Sequence, residues 1–157
     1  MSTFDPTLDL VLERVVPLTT NEIWRGWTEP ELIVQWFTPA PWKTVQSEID
    51  LRPGGKCLSV MLSPEGHEIE NLGCILEVRE NERFVFTSCL LPGFRPSAQP
   101  FFTGVVEMTP TDDGSVYKAT ALHKDAEDRS RHEEMGFHTG WGLALDQLVS
   151  LMLSLRK

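Results

Sequence analysis

Residues 8–37 read LDLVLERVVPLTTNEIWRGWTEPELIVQWF, and this stretch decides the fold. Leu8 to Val16 alternate as a half-buried strand does, and the run stops at Pro17, which has no amide for a ladder. Thr19 and Glu22 then stand at capping-box spacing, where the threonine oxygen takes an orphan amide and the glutamate reaches back. A short helix is predicted there, with Ile23, Trp24 and Trp27 on one face. Thr28 and Glu31 repeat the spacing with Pro30 in the first turn, predicting a second short helix that buries Leu32, Ile33 and Trp36.

Downstream, the period falls from helical to two. Lys43 to Leu51 and Lys56 to Leu62 alternate around Pro53-Gly54-Gly55, whose fixed φ followed by glycines suits a type II turn. Asp50 and the two glycines are read as turn geometry, the carboxylate accepting turn amides. Ser63-Pro64-Glu65-Gly66 turns into a long strand, Glu68 to Val78, in which Gly73 marks a bulge or a close backbone approach. Glu80-Asn81-Glu82 leads to Arg83 to Leu90, and Leu91 to Pro100 reads as a long surface loop. Phe101 to Met108 and Val116 to His123 form a last hairpin closed by Asp112-Asp113-Gly114, for about six to seven strands in all.

Helical spacing returns after His123. Asp125 is placed to cap a charged segment, and from about Met135 a long helix carries Trp141, Leu145, Leu148 and Met152 as one apolar stripe. Gly136, Gly140 and Gly142 in that run suggest close approach of helix to sheet, or room for a ligand. Residues 1–157 are expected to form one α+β domain, since no repeat or linker divides them.

The chain of 157 residues has 14 basic and 23 acidic side chains, a net charge of −9. Such a surface repels phosphate backbones, so no nucleic-acid partner is expected. Cys57, Cys74 and Cys89 are odd in number and lack C-x-x-C spacing, which fits reduced core thiols. No leader pattern or membrane span is read, and the expected location is the cytoplasm.

Strand, two short helices, a meander and a long C-terminal helix is the element order of the helix-grip fold of START domains, birch-pollen allergens and polyketide cyclases. The segments Ile23-Trp24-Arg25-Gly26-Trp27-Thr28-Glu29-Pro30-Glu31, Trp36-Phe37 with Pro39, Asp50-Leu51-Arg52-Pro53-Gly54-Gly55, and Met135-Gly136-Phe137-His138 through Gly140-Trp141 to Leu145-Asp146-Gln147-Leu148 narrow it further. Together they resemble the activator of heat-shock-protein-90 ATPase homologue-like (AHSA-like) family of the SRPBCC superfamily. The resemblance implies a cavity between the sheet and the C-terminal helix and does not imply one shared activity. Eukaryotic cochaperones of that name carry an additional N-terminal domain that grips the chaperone, whereas this chain is expected to begin directly with the cavity domain.

Site candidates follow from the predicted faces. His123 shares its face with Tyr117, Ala119 and Ala121, whose small alanines leave space for a proton-transferring imidazole. His138 is expected to face inward three residues before Trp141. Trp36, Trp42 and Trp141 lie near loops or a helix start where a cavity opens. Met61, Cys89 and Phe102 complete the expected lining, with the 91–100 loop as a lid.

No metal or cofactor is expected: His132 and His138 miss the i, i+4 spacing of a helical zinc pair, and no nucleophile or phosphate-loop motif occurs. The acidic cluster from Asp125 to Glu134 reads as a solvated helix face.

The first expectation is therefore binding of a small hydrophobic or aromatic molecule. The rivals are a cyclase or dehydratase using a pocket histidine, and a cochaperone-like interaction module. Enzymatic activity and a homodimer through a sheet edge or the long helix are left open.

Overall fold

The computed structural model describes residues 4–156 and opens with strand β1 (Asp9–Val16), helix α1 (Thr20–Thr28) and helix α2 (Pro30–Trp36). The first cap forms as its spacing predicts, with the Glu22 amide donating to Thr19 Oγ1 at 3.1 Å and the Thr19 amide to Glu22 Oε1 at 2.9 Å. Arg156 donates to both oxygens of Glu22 and pushes that carboxyl down to about 2. The second expected cap does not form. Thr28 closes α1 by donating to the Trp24 carbonyl at 2.7 Å, and Glu29 precedes Pro30 without any side-chain cap. Proline at the first helical position has no amide to satisfy, so α2 starts without one.

The meander follows as β2 (Lys43–Ile49), β3 (Lys56–Leu62), β4 (Glu68–Arg79) and β5 (Arg83–Thr87). At the β2–β3 turn the Gly55 amide donates to the Arg52 carbonyl at 2.9 Å and Gly54 has φ +83°. Asp50 contributes differently from expectation: its carbonyl takes the Arg52 amide, and its carboxylate pairs with the Arg52 guanidinium at 2.8 Å. The bulge in β4 falls between Ile75 and Glu77. Gly73 marks the close approach instead, since a Cβ there would lie 2.3 Å from the Thr87 carbonyl oxygen.

The strand expected to reach Leu90 ends at Thr87. The 91–100 segment is not a structureless loop either. Most of it folds with Leu90 as a small ribbon, β6 (Leu90–Leu91) with β7 (Arg95–Pro96), and the Gly93 amide ties its tip to the Gly54 carbonyl at 2.8 Å. β8 (Phe102–Pro110) and β9 (Ser115–His123) form the last hairpin.

Asp125 caps α3 (Ala126–Glu134) by accepting the Asp128 amide at 2.8 Å, and α4 (Phe137–Ser154) follows. Gly136, expected within one long helix, instead separates the two at φ +94°, a conformation side chains with a Cβ avoid.

Among the described residues the main sheet has seven antiparallel strands in the order β1-β9-β8-β5-β4-β3-β2. Its register gathers Leu10 and Leu12 of β1, Ala119 and Ala121 of β9, Val106 of β8 and Phe84 of β5 on one face. α4 lays Leu145, Leu148 and Met152, all buried, over that face. α1 crosses α4 at Gly26, where a Cβ would meet Leu148 Cδ1 at 2.4 Å. This is the α+β helix-grip arrangement that the element order predicts, and no helix of the described residues is long and apolar enough to cross a membrane.

Candidate functional site

The concave face of the sheet has two ends with different contents. At the β2–β3 end lies a cavity of about 30 Å³. Trp27 of α1, Ile33 of α2 and Phe37 just beyond α2 wall it on the helix side, and Ile49, Cys57, Leu58, Phe84 and Phe86 on the sheet side. Ser47 and Ser59 complete the rim. Trp27 packs on Phe37 at 5.6 Å and on Phe86 at 5.8 Å between ring centroids, so the walls are aromatic. No carboxylate, ammonium, guanidinium or imidazole borders the space. Burial pushes the Cys57 thiol up to about 12, with Cys74 adding to the shift, and so it stays a neutral group.

No α4 residue lines this cavity, so it is not the space expected between sheet and C-terminal helix. Where α4 covers the sheet, the buried Leu145, Leu148 and Met152 pack into the main core.

At the other end, β9 and α3 bring two imidazoles together. His123 Nδ1 donates to the Leu8 carbonyl at 2.7 Å, because a carbonyl only accepts. Its Nε2 then accepts from His132 Nδ1 at 2.8 Å, which leaves the lone pair of the couple on His132 Nε2. Phe101 and Phe102 stack on the His132 ring at 4.9 and 4.8 Å, with Phe137 at 5.3 Å and Trp141 at 5.9 Å. Burial, aided by the neighbouring His123, pushes His132 down to about 4.

A wider depression of about 410 Å³ lies beside the β4–β5 turn, lined by Arg79, Glu82, Arg83 and Glu107 among others. Its charges are spent on one another, Arg83 on Glu107 at 2.8 Å and Arg79 on Glu82 at 3.0 Å.

The family described as Activator of Hsp90 ATPase homolog 1-like protein matches residues 17–152. The chain belongs to this family. Among solved structures, protein NE0264 from Nitrosomonas europaea is 44% identical, with 96% of this chain and 97% of that one covered at a TM-score of 0.94. Protein Ms6760 from Mycobacterium smegmatis shares the fold at 24% identity, with 97% and 94% covered and a TM-score of 0.80. An AHSA1-like protein from Aeromonas hydrophila does so at 18% identity, with 94% and 93% covered and a TM-score of 0.68. No curated protein matches the chain.

The segments that carry the resemblance have framework roles in this AHSA1-like chain. Trp36 Nε1 donates to the Gly26 carbonyl at 2.8 Å, and Gln147 Nε2 donates to the carbonyls of Trp36 and Thr38 at 2.8 and 2.9 Å. Trp36 is thereby a buried strut between α1, α2 and α4, outside the cavity wall. Tyr117 is buried too, and its hydroxyl accepts from Trp27 Nε1 at 3.1 Å behind that wall. Met61 shares the strand face of Cys57 and Ser59 but lies beyond the lining, as does Trp42. Cys89 joins β5 to the ribbon, its amide donating to Thr87 Oγ1 at 3.0 Å, and the ribbon expected as a lid contributes no lining residue.

Phe102, His123 and Trp141 do come together, at the histidine end rather than around a cavity. His138 does not face inward. It is exposed, with Glu133 at 3.7 Å, because Phe137 and Trp141 take the inner face of the first turn at i, i+4. Sequence reasoning missed His132, Phe101 and Phe137 at this end, and Trp27, Phe37, Ser47 and Ser59 at the other.

Proposed function

We propose that this AHSA1-like protein binds a small, uncharged, apolar or aromatic molecule in the cavity beneath α1 and α2. The observation that carries the reading is the lining: aromatic and aliphatic side chains surround the space, with no ionisable group other than a thiol held neutral. Such walls favour apolar surface and penalise charge.

A space of about 30 Å³ equals one water's share of liquid volume, so a benzene-sized ligand enters only as the wall moves. Phe37 is the movable part, half-buried just past the end of α2. Toluene titrated while the Trp27 indole resonance is followed by NMR tests this. Saturable shifts are expected, with tighter binding in Phe37→Ala. An indole resonance that stays put in both proteins would overturn the proposal. Native mass spectrometry before and after organic extraction then identifies a molecule carried from the cell.

A second reading, proton transfer of the cyclase or dehydratase type, draws on the histidine couple. Both nitrogens of His123 are committed, so the base of such a reaction is His132 Nε2. Turnover that survives His132→Phe would remove that reading. A chaperone-docking surface has less support, because the three most exposed large apolar residues, Val15, Met135 and Phe94, sit apart on β1, between α3 and α4, and on the ribbon.

A further inference from the structure

One wall of the cavity, Phe86, owes its position to a residue without a side chain. The register sets Ile75, Phe86, Gly104, Ala121 and Leu10 in one row across β4, β5, β8, β9 and β1. A Cβ on Gly104 would lie 2.5 Å from Phe86 Cζ and 2.7 Å from Cε1, so the ring leans toward β8 and covers the glycine. Gly104 has no positive φ that calls for glycine, and a glycine inside a strand weakens it. The close approach of the ring is what the missing side chain permits. In the sheet β8 flanks β5 on one side, while β4, β3 and β2 lie on the other, and from β2 and β3 Ile49 and Cys57 line the cavity. Leaning toward β8 therefore takes the Phe86 ring away from the space above β3 and β4. Trp27, Phe84 and Phe102 stand around the ring at 5.8, 5.8 and 6.0 Å between centroids, so a ring pushed off Gly104 has the cavity to move into.

We infer that Gly104 sets the size of the cavity by letting Phe86 lean back, and that this pair limits the site to molecules of a single ring. The inference rests on the binding reading above. Movement of Phe37 opens the mouth and admits a ring, but it does not lengthen the space toward β5. A fused two-ring molecule has to displace Phe86, which already touches Gly104 and has three aromatic neighbours, and close-packed side chains do not yield one at a time. An apolar pocket separates ligands that differ by one methylene by about 10- to 200-fold, so an added ring is well within its power to refuse.

The test titrates toluene and naphthalene into the wild type, Gly104→Ala, Phe86→Ala and the double variant, following the Trp27 indole resonance by NMR. Gly104→Ala is expected to weaken toluene at least about tenfold in the wild type, and by less than about twofold once Phe86 is alanine, because no ring is left to displace. Phe86→Ala is expected to raise the affinity for naphthalene relative to toluene at least about tenfold. A glycine needed only for strand packing predicts neither the dependence on Phe86 nor the change in ligand size. Toluene binding that is indifferent to Gly104→Ala, or a naphthalene-to-toluene ratio unmoved by Phe86→Ala, overturns the inference and leaves the cavity reading standing. Toluene that shifts the indole in neither the wild type nor Phe37→Ala overturns both. Thermal unfolding checks that each variant is folded. Should Gly104→Ala fail to fold, the ligand ratio in Phe86→Ala decides, and Phe86→Leu replaces Phe86→Ala on the same grounds.

Discussion

The two ends of the concave face hold buried or half-buried polar groups in different conditions. At the histidine end three of the four imidazole nitrogens are engaged within the protein, and aromatic rings close around the couple. At the cavity end the half-buried Ser47 and Ser59 sit on the rim of a space whose bounding surface is almost wholly apolar. Polar groups satisfied by the fold rigidify it, whereas an apolar space favours apolar surface and penalises charge. Residue type alone points to the histidine end, because histidines look more chemical than an apolar wall.

The largest expected contrast is in packing. Phe137 is buried with Trp141 at 4.5 Å and His132 at 5.3 Å between ring centroids, so Phe137→Ala leaves a hole that nothing fills. A loss of about 3 to 5 kcal/mol by chemical denaturation is expected. Phe37→Ala removes the same atoms from a half-buried position already next to open space, for a loss of about 1 to 2 kcal/mol. Equal losses would erase the distinction between a packed end and an open one.

Acid is the next lever. His132 titrates at about 4 in the folded protein, against an ordinary value of 6.5. The unfolded chain takes up this proton near pH 6.5 and the folded chain refuses it until about pH 4, so the contribution is intact above that window and lost as pH falls through it. The shift corresponds to at most about 3 kcal/mol. His132→Phe keeps a ring in the aromatic cage and should flatten the stability profile between pH 6.5 and 4, measured by urea unfolding across that range. Parallel profiles for wild type and variant would mean that the His132 ring is protonated in the cage as easily as in water.

What was legible in the sequence follows from how local each cause is. The first capping box, the meander and the apolar stripe of α4 depend on neighbours within a few residues, and they appear as read. The cavity's position does not: a side chain lining a void and one filling a core are equally apolar, and what separates them is how far α4 reaches across the sheet. His132 was hidden by charged neighbours, although Asp128 and His132 are both buried and stand at i, i+4, a weak sign that α3 has an inner face. His138 was misplaced because the helix starts two residues later than its apolar pattern suggests, at Phe137. Pairing Ser47 with Ser59 needed the register of β2 on β3, which a bulge between Thr44 and Gln46 shifts by one residue.

The smallest expected effect is the most discriminating, because its sign differs between the two ends. Cys57→Val adds carbon at a wall that faces open space, and a methyl group entering an apolar void gains up to about 0.8 kcal/mol. Ala121→Val adds carbon in the packed half, where Ala121 is fully buried opposite Gly104 and Leu10, and overpacking there costs about 1 to 3 kcal/mol. The cysteine variant is also expected to weaken toluene binding about threefold, since the added group occupies the ligand's space. Thermal unfolding and toluene titration of both variants read these changes. If both substitutions destabilise and neither alters toluene binding, the space beside Cys57 is closed to carbon, and the ligand must be sought elsewhere on the sheet.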